Sequence, residues 1–108
     1  MGTIMNTIFG NLEEKRAYRK NEKRAAALPK EYADAYKEIK HYLFSTSGIL
    51  SAEPLVPLVD LFVEAAANDR RVIDITGPDV AAFADELVQG EKTFKDHYRD
   101  KLNSKLKK

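Results

Sequence analysis

Between Pro29 and Gly48, the residues Tyr32, Tyr36, Ile39 and Leu43 fall at i, i+4, i+7 and i+11, the spacing of one face of an α-helix. Pro29 suits the first turn of that helix, where its missing N–H costs nothing. Gly48, within Ser45-Thr46-Ser47-Gly48, ends it. The remaining glycines (Gly2, Gly10, Gly77, Gly90) and prolines (Pro54, Pro57, Pro78) punctuate the rest of the chain in the same manner. They cut it into about five helical segments of ordinary length. No repeat, low-complexity block or interdomain linker interrupts this pattern, so residues 1–108 are expected to form a single all-α domain.

The first segment, from about Thr3 to Ala27, carries two apolar sets. Met5, Ile8, Phe9 and Leu12 follow helical spacing, and so do Ala17, Tyr18, Ala25 and Leu28. At about 100° per residue the two sets point in different directions, and one straight helix cannot turn both to the same core. Either the chain bends near Gly10, or the early patch faces a second subunit or other partner, which is the preferred reading. Residues 1–12 are therefore expected to be separately oriented.

Further on, Pro57 confines the start of the next helix to its own first turn, and Leu58, Leu61, Phe62 and Ala65 make its core face. Val72-Ile73-Asp74-Ile75-Thr76 has the composition of a strand, yet no second strand-like segment exists to pair with it. It reads as an extended connector over about 71–76 whose Val72, Ile73 and Ile75 plug into the core. Thr76-Gly77-Pro78-Asp79 resembles a capping box with Thr76 as N-cap. Val80, Phe83, Ala84, Leu87 and Val88 form the following buried face, with Gly90 as its stop. Phe94, Tyr98, Leu102 and Leu106 give the last helix a thin apolar stripe.

Composition excludes several classes outright. The chain is 44% hydrophobic and 32% charged, the mixture of a folded domain rather than a disordered tail. It has no Cys, which removes disulfide frameworks, thiolate zinc sites and cysteine nucleophiles. No uncharged stretch approaches the ~20 residues of a membrane span. The N-terminus lacks a basic-then-apolar signal pattern, so a cytoplasmic location is expected.

Eighteen Lys and Arg against seventeen Asp and Glu conceal a partition. Residues 1–40 carry nine basic and six acidic side chains, residues 41–90 two and eight, and residues 91–108 seven and three. In the first segment Lys15, Arg19 and Lys23 form one i, i+4 row, and Arg16, Lys20 and Arg24 form the row beside it. This basic band would attract a DNA duplex or an acidic protein surface, although Glu13, Glu14 and Glu22 lie close enough to make it an ordinary solvated face. Lys101, Lys105, Lys107 and Lys108 complement the dipole at the last helix's end. Basic ends and an acidic middle also fit a two-fold homodimer, with one subunit's first helix against the other's middle.

Catalytic equipment is sparse. The histidines are His41 and His97, no Ser sits in a nucleophile elbow, and the isolated glycines build no phosphate loop. Neither an enzyme nor a cofactor is expected. One metal-type spacing occurs: Glu38 and His41 stand at i and i+3, as ligand pairs do in di-iron bundles. Such bundles need that motif twice plus two further Glu, so the pair is a weak metal candidate. The five tyrosines mostly follow core spacing, with hydroxyls reaching the surface.

Two stretches of the chain resemble a known family. Tyr18 with Ala27-Leu28-Pro29-Lys30-Glu31-Tyr32 and Tyr36-Lys37-Glu38-Ile39 resembles the first half of the small bacterial domain of unknown function 1048 family. Leu58-Val59-Asp60-Leu61-Phe62 and Val72-Ile73-Asp74-Ile75-Thr76-Gly77-Pro78-Asp79-Val80, continuing through Ala81-Ala82-Phe83-Ala84-Asp85-Glu86-Leu87, resemble its second half. The resemblance implies an all-helical fold wound as a left-handed superhelical array. It also implies, for function, a label of DNA-binding and ferritin-like, akin to starvation-induced DNA-protection proteins, and an association with PadR-type transcriptional regulators. The chain is too short for four long ferritin helices.

Together these readings favour a non-enzymatic helical interaction module, accessory to transcriptional regulation, that contacts a protein partner or a second copy. Met5, Ile8, Phe9, Leu12 and the basic band would carry the contact. The alternative is sequence-nonspecific DNA binding through Lys15, Arg16, Arg19, Lys20, Lys23 and Arg24. A distant third is an iron-binding ferritin relative centred on Glu38 and His41.

Overall fold

In a computed structural model of the chain, residues 12–106 are described. They form six helices: α1 (Leu12–Ala26), α2 (Lys30–Thr46), α3 (Leu55–Ala67), α4 (Val72–Thr76), α5 (Val80–Leu87) and α6 (Phe94–Leu106). The all-α expectation holds, and an isolated antiparallel bridge between Ile49 and Thr93 is the sole β-type pairing among the described residues.

The predicted stripe of α2 is the centre of the molecule. Tyr32, Tyr36, Ile39 and Leu43 are all buried, and α1, α3, α4 and α5 pack around that helix. Opposite them α3 supplies Leu55, Leu58, Val59, Phe62 and Ala65, α1 supplies Ala25, and α5 supplies Ala84. The Tyr32 and Phe62 rings meet with centroids 5.1 Å apart and planes tilted by 60°, a favoured aromatic geometry. Pro57 lies in the first turn of α3, where the loss of its N–H is harmless. Leu61 departs from its expected core role and is exposed, because it lies about 100° around the helix from Phe62.

The strand-like segment is a helix. Val72–Thr76 forms one and a half turns as α4, not an extended connector. Carboxylates override its β-branched composition by taking up the free N–H groups of the first turn. The Asp74 carboxylate accepts from Arg71 N at 3.0 Å, and Glu31, reaching across from α2, accepts from Val72 N at 3.3 Å. Val72 and Ile75 pack against the core as expected, but Ile73 is 60% exposed. The cap of α5 also moves: Thr76 closes α4, and Asp79 is the N-cap, its Oδ1 accepting from Ala82 N at 3.0 Å. Phe83, Leu87 and Val88 are partly buried on α5, whereas Val80 faces solvent.

The last helix stands apart. Thr93 and Asp96 form a reciprocal capping box, each backbone N–H donating to the other's side chain at 3.2 Å. Two backbone bonds tether this end, Phe94 N to Gly48 O at 2.8 Å and Leu50 N to Lys92 O at 3.3 Å. Beyond the tether α6 has no buried residue. Phe94, Tyr98, Leu102 and Leu106, the thin apolar stripe read from the sequence, are all exposed. The Cα radius of gyration, 16.8 Å, exceeds the about 13 Å of a compact chain this long.

Candidate interaction surface

The basic band lies on one face of α1. Asn21 and Ala25 turn inward. At about 100° per residue Lys15, Arg16, Arg19, Lys20 and Lys23 fall within an arc of about 140° on the opposite side. All five are exposed, and among the described residues none joins an ion pair with a carboxylate. Arg24 differs from them: it is partly buried and pairs with Asp60 on α3. That pair joins basic first segment to acidic middle inside one chain. Leu12 stands exposed within the band, whereas Met5, Ile8 and Phe9 lie outside the described residues.

Behind the band a polar bracket fastens α1 to its neighbours. Asn21 Nδ2 donates to the Leu55 carbonyl at 3.2 Å, deep between α1 and α3. The Glu22 carboxylate accepts from both the Tyr36 hydroxyl and the Lys40 ammonium. Lys40 Nζ also lies 5.7 Å from the centre of the Tyr18 ring and 5.6 Å from that of Tyr36, in cation–π range. Burial alone would raise the Glu22 pKa, but the Lys40 and Tyr36 hydrogen bonds outweigh it and hold the carboxyl below its ordinary value. Burial, then the Glu22 carboxylate, pushes the Tyr36 hydroxyl well above the usual tyrosine range. Burial opposes the Lys40 charge, yet Glu22 leaves its pKa raised. The whole cluster is a structural clasp with its charges mutually satisfied.

A cleft of about 510 Å³ opens between the first half of α1 and residues 50–56. Ala17, Tyr18, Leu50, Ala52 and Val56 give it apolar walls, and Glu14, Lys15, Arg19 and Glu53 rim it. The polar groups inside are used for structure: Asn21 holds Leu55, and Ser51 Oγ accepts from Glu53 N at 3.1 Å. Glu38 and His41 are both exposed on α2, and among the described residues no three His, Cys, Asp or Glu side chains gather as a metal site. No described helix is long and apolar enough to cross a membrane.

A model of a family described as "protein of unknown function (DUF1048)" matches residues 9–107. This chain belongs to the DUF1048 family. No curated protein matches it. Membership is consistent with the motifs read from the chain, and it places both the band and α6 of this DUF1048 protein inside the matched span.

The surface that sequence reasoning missed is the outer face of α6. At about 100° per residue Phe94, Tyr98, Leu102 and Leu106 form a stripe, with Lys101 and Lys105 along one edge and Lys95 and Arg99 along the other. Asp96 and Asp100 occupy the opposite side, where Asp100 pairs with Lys92 at 3.0 Å. One signal was available: cations recur at the stripe's own spacing, and a lysine-flanked stripe is not built for a dry core.

Proposed function

We propose that this DUF1048 chain is a non-enzymatic helical interaction module of the cytoplasm, one that binds a protein surface both apolar and acidic. The observation that carries this reading is α6, a 13-residue helix with no buried residue that exposes Phe94, Tyr98 and Leu102 between rows of lysine and arginine. A bare helix of this kind gains its stability by covering its apolar face against something else. The use of the cleft's interior polar groups for structure favours docking over catalysis.

A test compares affinity capture by the wild-type protein with capture by Tyr98→Ser/Leu102→Ser, the retained proteins being identified by mass spectrometry. A retained protein, a second copy included, that the double substitution releases supports the reading. Wild-type protein that retains no protein at micromolar concentration overturns it.

A second reading, sequence-nonspecific DNA binding, is favoured by the five exposed cations on α1 that pair with no carboxylate among the described residues. A labelled duplex titrated at several salt concentrations would then give a log–log slope of about −0.9 per phosphate contacted. Arg16→Gln/Lys20→Gln/Lys23→Gln should abolish that binding. A role as an accessory to a transcriptional regulator fits either reading.

A further inference from the structure

We propose that the exposed face of α6 seats on the outer face of α3 in a second copy of this chain, and that the contact is made reciprocally. This deepens the reading above by naming the partner.

The outer face of α3 has the complementary chemistry. Val56 and Val63 are exposed on it although the helix is among the most apolar in the chain, and Leu61, also exposed, lies about 150° further around the helix. Its charged residues are Asp60 and Glu64, with Glu53 in the turn before, and it holds no Lys or Arg. Arg24 occupies Asp60, whereas Glu53 and Glu64 form no ion pair among the described residues. At about 100° per residue Val56 and Val63 share one line, with Asp60 and Glu64 beside it.

The α6 face matches this pattern with opposite charge. Phe94, Tyr98 and Leu102 form its line, and Lys95, Arg99, Lys101 and Lys105 flank it. Val56 and Val63 stand seven residues apart and Phe94 and Leu102 eight, about 10 and 12 Å along their helices, so the two lines are similar in length. Within one chain α6 is tethered at residues 92–94 and buries none of its residues, and Val56 and Val63 of α3 stay exposed. A two-fold arrangement satisfies both faces of both copies and closes, whereas one-way stacking would leave a bare helix at one end. Opposite charges along the rims would set the register, and the apolar lines would supply most of the affinity.

The absence of Cys permits a direct test. Val63→Cys and Leu102→Cys proteins are prepared separately, mixed, and treated with a short bismaleimide. A product joining one of each is intermolecular by construction and is the expected result. Sedimentation equilibrium of the unmodified chain should show a monomer–dimer equilibrium, which Leu102→Glu weakens roughly tenfold or more. Glu64→Lys and Lys101→Glu should each weaken it, and the two together should restore it.

A chain that stays monomeric up to about 0.5 mM overturns the proposal, since any association would then be of millimolar strength. So does a dimer indifferent to Leu102→Glu, or a monomer that instead cosediments with phosphatidylserine vesicles through α6. A monomer that still captures a different protein through Tyr98 and Leu102 removes the second copy while leaving the interaction-module reading intact.

Discussion

Tyr36 on α2 donates its phenolic hydrogen to the Glu22 carboxylate on α1, fourteen residues earlier in the chain, and Lys40 meets the same carboxylate one turn further along. α1 buries only Asn21 and Ala25, so this bracket and the Asn21–Leu55 bond do much of the work of holding it. The helix that carries the basic band is therefore attached chiefly by polar contacts.

Stability should depend on pH through that bracket. The Glu22 pKa is lowered on folding, so its contribution is present above the ordinary carboxyl value and is lost as pH falls through the lower folded value. Tyr36 and Lys40 have raised pKa values, so their contributions are complete below their ordinary values and are lost as pH rises through the folded ones. Glu22→Gln should cost about 1–2 kcal/mol at neutral pH, shrinking towards zero in acid, where the wild-type carboxyl is itself protonated. Urea unfolding across the pH range measures this. An unchanged acid limb in the variant would mean that the bracket contributes nothing.

Phe62→Ala should be among the most damaging core substitutions. Phe62 is fully buried and meets the Tyr32 ring at a tilt, and the Tyr32 hydroxyl donates to the Arg70 carbonyl at 2.6 Å. Removing the ring empties the centre of the α2–α3 contact and costs about 3–5 kcal/mol. Leu61→Ala, one residue earlier but exposed, should cost well under half as much. Chemical denaturation of both variants checks the contrast, and equal losses would contradict the placement of Leu61.

Gly77 should resist substitution for a reason unrelated to space. Its φ of +72° with ψ of −178° lies in a region essentially reserved for glycine, while a Cβ there would meet nothing within 4 Å. Gly77→Ala should therefore cost about 1–3 kcal/mol, whereas D-Ala introduced by chemical ligation should cost almost nothing. Thermal melts of the two proteins separate conformational strain from crowding.

Legibility in the sequence followed the range of the forces involved. The stripe of α2 and most of the α3 face were readable because period alone decides which side of a helix is buried. Val72–Thr76 was not, because one of the two carboxylates that cap it comes from Glu31, some forty residues away in sequence, beside the local Asp74. The band on α1 was readable as a face, but nothing local to Arg24 marks Asp60 as its partner. For α6 the apolar spacing was visible, and what the spacing could not say was whether anything in the same chain covers it.

The dynamics of α6 give a last expectation. Each of its residues is exposed, and among the described residues its ties to the body are the two backbone bonds to Gly48 and Leu50, while the capping box of Thr93 and Asp96 closes only its own first turn. An isolated helix of 13 residues is marginal in water. Amides of Tyr98 to Leu106 should thus exchange with solvent within seconds in dilute protein, while those of α2 and α3 wait for global unfolding. Raising the protein concentration should slow exchange in α6, and in the outer turns of α3, if a second copy covers them. Hydrogen–deuterium exchange at two concentrations reads both effects. Strong protection of α6 in dilute monomer would mean that the helix lies against its own chain, and the open face argued for it would not exist.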